Sequence, residues 1–247
     1  MRWPSLAAGI IGIAVAAGSV AADEPSLTIL FHIRPPYSEL GAPAGVKGLL
    51  VAPIIRAMSK ADLSAQWVEM PPARQTEEIR RAEGPVCGLG WFKRPEREEF
   101  AVFTAPIYRD KPSVVVARKD DARFAAPAAL QFLFADRSAK LIVKTGYSYG
   151  AVIDAWILRQ HPDAEETAVG NEAILNMIAN GRRDYVIMAA EEAEYLLKRD
   201  AAFGEKLQAV TLTDAPEGEQ RYLMCSKATP ADTLARLNAA LTDPANW

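Results

Sequence analysis

The sequence predicts a bilobed α/β protein: two modules of sheet flanked by helices, joined by extended crossings. Three observations carry that reading. Apolar strands alternate with helices up to residue 92, the same grammar restarts at residue 112, and one strand and one helix remain after both modules are complete. Strand, helix, strand order marks a parallel sheet with crossover helices, and such sheets present ligands at the carboxyl ends of their strands.

In the first module SLTILFHI (26–33) is an apolar run stopped by Arg34-Pro35-Pro36-Tyr37, a buried strand ended by prolines. Beyond a glycine-containing loop, Leu50, Ile54, Ile55 and Met58 fall at helical spacing over 49–61, and Pro53 fits only in the first turn. Residues 64–71 alternate as a second strand, 73–84 form a short polar helix closed by Gly84, and PVCGLGWF (85–92) is a third strand. In the second module 112–119 and 141–146 read as strands, the latter opening through Tyr147-Ser148-Tyr149-Gly150 into the helix AVIDAWILRQ. A weak strand follows in 161–170, then a helix over 172–180, an apolar strand over 184–189 and a helix over 191–200. A turn-rich passage and a strand occupy QAVTLTDAPEGEQRYLMCSK, after which Thr229 caps the last helix and Pro230 takes its first position.

Arg2 followed by LAAGIIGIAVAAGSVAA reads as a secretory signal peptide cleaved after Ala22. The apolar core is shorter than a membrane span requires, and no cysteine at the cleavage point suggests a lipid anchor. Removing residues 1–22 takes away Arg2 and no acid, leaving 27 basic and 31 acidic side chains, a net charge of −4. A mildly acidic chain without a basic block does not suit nucleic acid. The remaining 225 of 247 residues allow two lobes of roughly 100 residues, each with its own core. Cys87 and Cys225 are the right number for one disulfide in an oxidising compartment, and two buried thiols are the alternative.

Chemistry concentrates in residues 85–109. Arg97 sits in KRPEREEF, a self-neutralising charged loop by composition, but at a strand's carboxyl end its guanidinium can grip a carboxylate bidentately. Gly146-Tyr147-Ser148 opens a helix directly after a strand, which points backbone N–H groups and the helix dipole at the same edge. Tyr37 and Trp91 flank that edge as pocket walls or as core aromatics. Catalysis has little support: His32 lies in an apolar strand, His161 precedes Pro162 at a helix end, and Glu191, Glu192 and Glu194 suit a helix start. The chain has no G-x-S-x-G elbow, metal-ligand spacing or Walker loop, so no cofactor or metal is expected.

The order of the PPY loop, GWFKRPEREEFAVFTAPIY, KTGYSYG, NGRRDYVIM and a closing YLMCSK strand plus helix resembles the periplasmic solute-binding proteins of family 3, receptors for polar amino acids that serve ATP-driven (ABC) importers. The resemblance implies the type II periplasmic-binding-protein fold, with 23–108 plus 219–247 as lobe 1, 109–218 as lobe 2 and a two-strand hinge. It implies that Arg97 holds a ligand carboxylate, that Thr145, Tyr147 and Ser148 lie in a turn donating to it, and that Tyr37 and Trp91 line the pocket. Where the amino-acid receptors carry an aspartate for the ligand ammonium, this chain has Ala189-Ala190, so an α-amino acid lacks its partner unless Glu191 supplies one. A branch of the family carries matching cysteines, which implies that Cys87 and Cys225 meet on neighbouring antiparallel strands. The implied partners are a small carboxylate-bearing or polar solute and a membrane importer. Alternatives are a sensor with a membrane signalling partner, or a dehydratase-like enzyme on the same scaffold with His32 or Glu191 facing the solute.

Overall fold

The computed structural model describes residues 27–42, 45–125 and 127–243; the expected signal peptide and its expected cleavage after Ala22 lie outside them. The first lobe begins with β1 (Leu27–Phe31), whose Leu27, Ile29, Leu30 and Phe31 are all buried, as an interior parallel strand requires. A small hairpin, β2 (Glu39–Leu40) and β3 (Val46–Lys47), leads to α1 (Val51–Lys60), β4 (Ala65–Glu69), α2 (Pro72–Arg81) and β5 (Val86–Phe92). A one-turn α3 (Pro95–Glu98) then precedes β6 (Ala101–Phe103) and β7 (Tyr108–Arg109).

The second lobe comprises β8 (Val114–Arg118), α4 (Leu130–Ala135), β9 (Leu141–Lys144), α5 (Ala151–Gln160), β10 (Ala164–Thr167), α6 (Asn171–Ala179), β11 (Tyr185–Met188), α7 (Ala190–Arg199), α8 (Ala201–Lys206) and β12 (Leu207–Thr211). The chain returns through β13 (Gln220–Ser226) and α9 (Ala231–Leu241). The first sheet runs β4-β1-β5-β13-β6, with β7 also on β13, and the second runs β10-β9-β11-β8-β12. Each sheet mixes parallel and antiparallel pairs, because the strands next to the interlobe crossings run against those built by helical crossovers.

Helical periodicity explains the layers. Val51, Ile54, Ala57 and Met58 of α1 pack with Leu237, Ala240 and Leu241 of α9 over one face of the first sheet, while Ile79 of α2 meets Ala101 and Met224 on the other. In the second lobe Leu130, Phe134 and Ile153 cover one face, and Ile174, Leu175, Leu196 and Phe203 cover the other. The two crossings, 110–113 and 212–219, are joined where Asp110 N donates to Glu219 O at 3.1 Å. Gly218 makes this approach possible: a Cβ there would lie 1.6 Å from the Asp110 carbonyl oxygen.

Local departures from expectation have backbone causes. The helix α5 spans the expected AVIDAWILRQ, but the Gly146-Tyr147-Ser148 turn does not itself open it, because Gly146 and Gly150 both take left-handed φ values, 72° and 99°, that no helix can contain. Pro230 is extended, with ψ of 135°, and so precedes α9 instead of occupying its first turn. Among the described residues no helix is long and apolar enough to cross a membrane.

Cys225 on β13 stands opposite Cys87 on β5, and the two are bonded, with Cα atoms 3.9 Å apart. The bond closes a span of 138 residues and thereby ties the returning strand to the first sheet. In the chain-entropy account such a closure is worth up to about 5 kcal/mol, and measured losses run from about 2 to 5 kcal/mol. Replacing Cys87 and Cys225 together by alanine is expected to lower the unfolding free energy by that amount in urea titrations. Adding reductant should reproduce the loss in the wild-type chain and leave the variant unchanged.

Candidate functional site

The carboxyl ends of β1 and β5 face those of β9 and β11 across the hinge, and the loops that follow these strands build the cleft. Its floor is ionic. Arg221 of β13 donates through Nε to Asp110 Oδ1 at 2.7 Å and through Nη1 to the Gly90 carbonyl at 3.0 Å, with both charged side chains at least nine-tenths buried. The Arg221 guanidinium also lies 4.5 Å from the ring centroids of both Tyr37 and Phe92.

One strand irregularity sets one wall. The register between β5 and β13 shifts at Tyr222/Leu223, where Leu89 and Trp91 are paired and Gly90, with φ of 78°, is the extra residue. A glycine in that region is what this kind of β-bulge needs, and bulges re-aim the side chains beyond them. Trp91 and Phe92 follow directly and line the cleft. Trp91 Nε1 donates to Gln75 Oε1 at 3.1 Å, and Arg97, from α3, lies over the Trp91 ring at 4.8 Å.

Arg97 is half-buried and donates from Nη1 to the Phe92 carbonyl at 2.8 Å. Its Nε and Nη2 make no hydrogen bond among the described residues. Burial first, and then the positive charge of Arg94, lower the Arg97 pKa from its usual value. They outweigh the carboxylates of Glu96, Asp154 and Glu219, none of which forms an ion pair with Arg97 among the described residues. Arg97 shares a cleft region of about 630 Å³ with Trp91, Pro72, Thr145, Gly146 and Tyr147.

The opposite wall comes from the second lobe. Thr145 N and Tyr147 N already donate, to Thr167 O and Lys144 O, while Gly146 N and Ser148 N have no acceptor among the described residues. The N-terminus of α5 is occupied: Ala151 N donates to Glu219 Oε1 at 2.6 Å, and Glu219 Oε2 accepts from Arg94 at 2.6 Å. Ser148 Oγ accepts from Arg94 at 3.3 Å and donates to Asp154. The helix end expected to receive a ligand anion is therefore neutralised by the protein's own carboxylates.

Of the expected ligand residues, Trp91, Arg97, Thr145, Tyr147 and Ser148 meet in the cleft, and two do not. Tyr37 is fully buried beneath it, its hydroxyl 3.2 Å from both Asp110 Oδ1 and Glu191 Oε2. Glu191 is turned into the hinge, where Oε1 accepts from Lys111 N and Tyr108 Oη, each at 2.9 Å. The carboxylate that faces the cleft is the next one, Glu192. Arg34 crosses from the first lobe and donates to Glu192 through Nε at 2.9 Å and Nη2 at 2.5 Å. Asn171 Nδ2 supports the same carboxylate at 2.9 Å, and Lys144 Nζ donates to Asn171 Oδ1 at 3.1 Å. Among the described residues no group of three or more His, Cys, Asp or Glu side chains is placed to hold a metal ion.

No protein-family model matches the chain, and no curated protein sequence matches it. Solved structures do. The VFT2 domain of Bordetella pertussis BvgS is similar at 20% identity and a TM-score of 0.69, over 89% of this chain and 88% of that one. An ancestral arginine-binding protein bound to arginine is similar at 15% identity and 0.67, over 87% and 91%. ArgBP from T. maritima in its holo form gives 18% and 0.65, over 89% and 92%. The fold is the two-lobed Venus-flytrap fold. In this chain's version of it, the flytrap cleft is the interlobe space just described, with Arg97 on one side of the Arg34–Glu192 pair.

His32, just after β1, lines the flytrap cleft beside Arg34 and Arg97, and its Nε2 is buried without a hydrogen-bond partner among the described residues. Burial, reinforced by Arg34, Lys144 and Arg221 and opposed by Glu192, lowers its pKa to about 4. Glu192, which burial would raise, is held below its usual value by the charge and hydrogen bonds of Arg34. Below pH 6.5 the unfolded chain protonates His32 while the folded chain does not, so stability falls between pH 6.5 and about 4, by up to about 3 kcal/mol. The Glu192 contribution is present above its unfolded value and is lost at still lower pH. Thermal melts of wild type are expected to be flat above pH 7 and to fall below 6.5. His32→Gln should flatten the upper part of that fall and keep the decline below pH 4.5; an unchanged profile would show that His32 titrates normally.

Proposed function

We propose that this chain is an exported solute-binding protein that takes a small carboxylate-bearing solute between its lobes and passes it to a membrane importer. The observation that carries the reading is Arg97: half-buried, with Nε and Nη2 unused among the described residues, stacked on Trp91 and sharing a cleft region of about 630 Å³ with Gly146, whose N–H, like that of Ser148, has no acceptor among the described residues. The charge of a carboxylate there would offset the burial and the Arg94 repulsion that lower the Arg97 pKa, and the carboxylate could accept donors from both lobes. The likeness in fold to arginine-binding proteins supports a binding role. An α-amino acid fits this cleft poorly. Ala189 offers no charge, Glu191 is committed to the hinge, and Glu192 is already paired with Arg34. A sensing role would use the same cleft and differ in the membrane partner.

Thermal-shift titrations over mono- and dicarboxylates and amino acids test the assignment. Carboxylates are expected to raise the melting temperature of wild type. Arg97→Ala should weaken them roughly 10- to 100-fold, the weight of a charge-assisted hydrogen bond of about 1.5–3 kcal/mol. Equal affinity in wild type and Arg97→Ala would remove Arg97 from the site.

A further inference from the structure

The Arg34 guanidinium is recognised as a ligand would be. It makes two near-parallel N–H donations to one carboxylate, Glu192, and lies between two aromatic faces, 5.0 Å from the Tyr37 centroid and 5.4 Å from that of Tyr147. The carboxylate is only 4% exposed, sits in the first turn of α7 and is oriented by Asn171, which Lys144 holds in turn. This is a built receptor for a planar cation: bidentate acceptor, aromatic walls and a second layer of hydrogen bonds. Four of its five parts, Glu192, Asn171, Lys144 and Tyr147, belong to the second lobe. The cation that fills it belongs to the first.

We propose that the second lobe carries a guanidinium-binding site which Arg34 occupies as a tethered ligand, so that Arg34 is the residue that keeps free guanidino solutes out of the cleft. The tether is short and fixed. Arg34 N donates to Ser38 O at 2.7 Å, and Arg34 O accepts from Tyr37 N and Ser38 N at 2.9 and 3.1 Å, which anchors the backbone of the turn. A tethered group acts at an effective concentration of millimolar or more, so a free cation at micromolar levels cannot compete. Space exists for the exchange. A second cleft region of about 450 Å³ is lined by Arg34 together with Pro35, Lys144, Asn171, Glu192 and Arg199. This inference shares only the interlobe cleft with the carboxylate reading and does not depend on Arg97.

Isothermal titration of methylguanidinium chloride into the full chain tests it, using wild type, Arg34→Ala, the milder Arg34→Gln, and Arg34→Ala/Glu192→Gln. Wild type should show no saturation below about 1 mM. Arg34→Ala or Arg34→Gln, whichever remains folded by circular dichroism, should bind one equivalent with a Kd at or below about 1 mM. The double variant should bind at least tenfold more weakly. Saturation of wild type below 1 mM, or a folded Arg34 variant that does not bind, would overturn the proposal. Carboxylate titrations on wild type read the Arg97 site separately, so either assignment can fail while the other stands.

Discussion

A guanidinium and a carboxylate buried together where two lobes meet are costly to separate, and the arrangement of this cleft depends on that cost. Losing one partner of a buried pair exposes the other to uncompensated desolvation, typically about 3–5 kcal/mol. Arg34 and Glu192, with side chains 18% and 4% exposed, make such a pair across the cleft, and Arg221 and Asp110 make another at its floor. In both, the cation comes from the first lobe. The anions come from the second lobe and the hinge. A third contact, Arg94 with Glu219 and Ser148, closes the outer side and caps α5 at the same time. The lobes are held together by the chain's own charges.

That ionic junction needs a rigid mount, and the first sheet supplies one. The disulfide pins β13 to β5 near one end, and the Gly90 bulge turns β5 near the other, so Trp91 and Phe92 are re-aimed while still paired with Tyr222 and Arg221 of β13. Arg221 then braces the bulge by donating to the Gly90 carbonyl. Glu191, satisfied by donors from Tyr37, Tyr108 and Lys111, locks α7 to the hinge. The same helix thereby presents Glu192 to the cleft.

How much of this was legible in the sequence follows from the range of each interaction. The alternation of strands and helices, the bilobed division and the Trp91–Arg97 wall are local patterns, and local patterns can be read from one chain. Glu191 is the carboxylate nearest in sequence to Ala189-Ala190, where the family resemblance looks for an ammonium partner, but the 100° turn between successive helical residues sends it into the hinge and Glu192 into the cleft. Arg34 read as the punctuation of a strand before Pro35, and its partner lies 158 residues away. The Gly146 turn pointed to the right edge, but its helix end is filled by Glu219, a residue from the other crossing. Short α4 and the two-residue β7 carry too few residues for periodicity to register.

The functional consequence is a cleft with two unlike halves. On the Arg97 side a cation lacks an anion; on the Glu192 side an anion already has its cation. Under the proposed function an anionic solute would bind on the Arg97 side, while the ionic pairs on the other side hold the lobes together. Small-angle X-ray scattering of the solute-free protein tests that claim most directly. Wild type is predicted to scatter as the closed structure does, and the Arg94→Ala/Glu192→Gln variant, which cuts both outer contacts, to show a larger radius of gyration. A solute-free wild type as expanded as the variant, compact only after a carboxylate is added, would contradict the account.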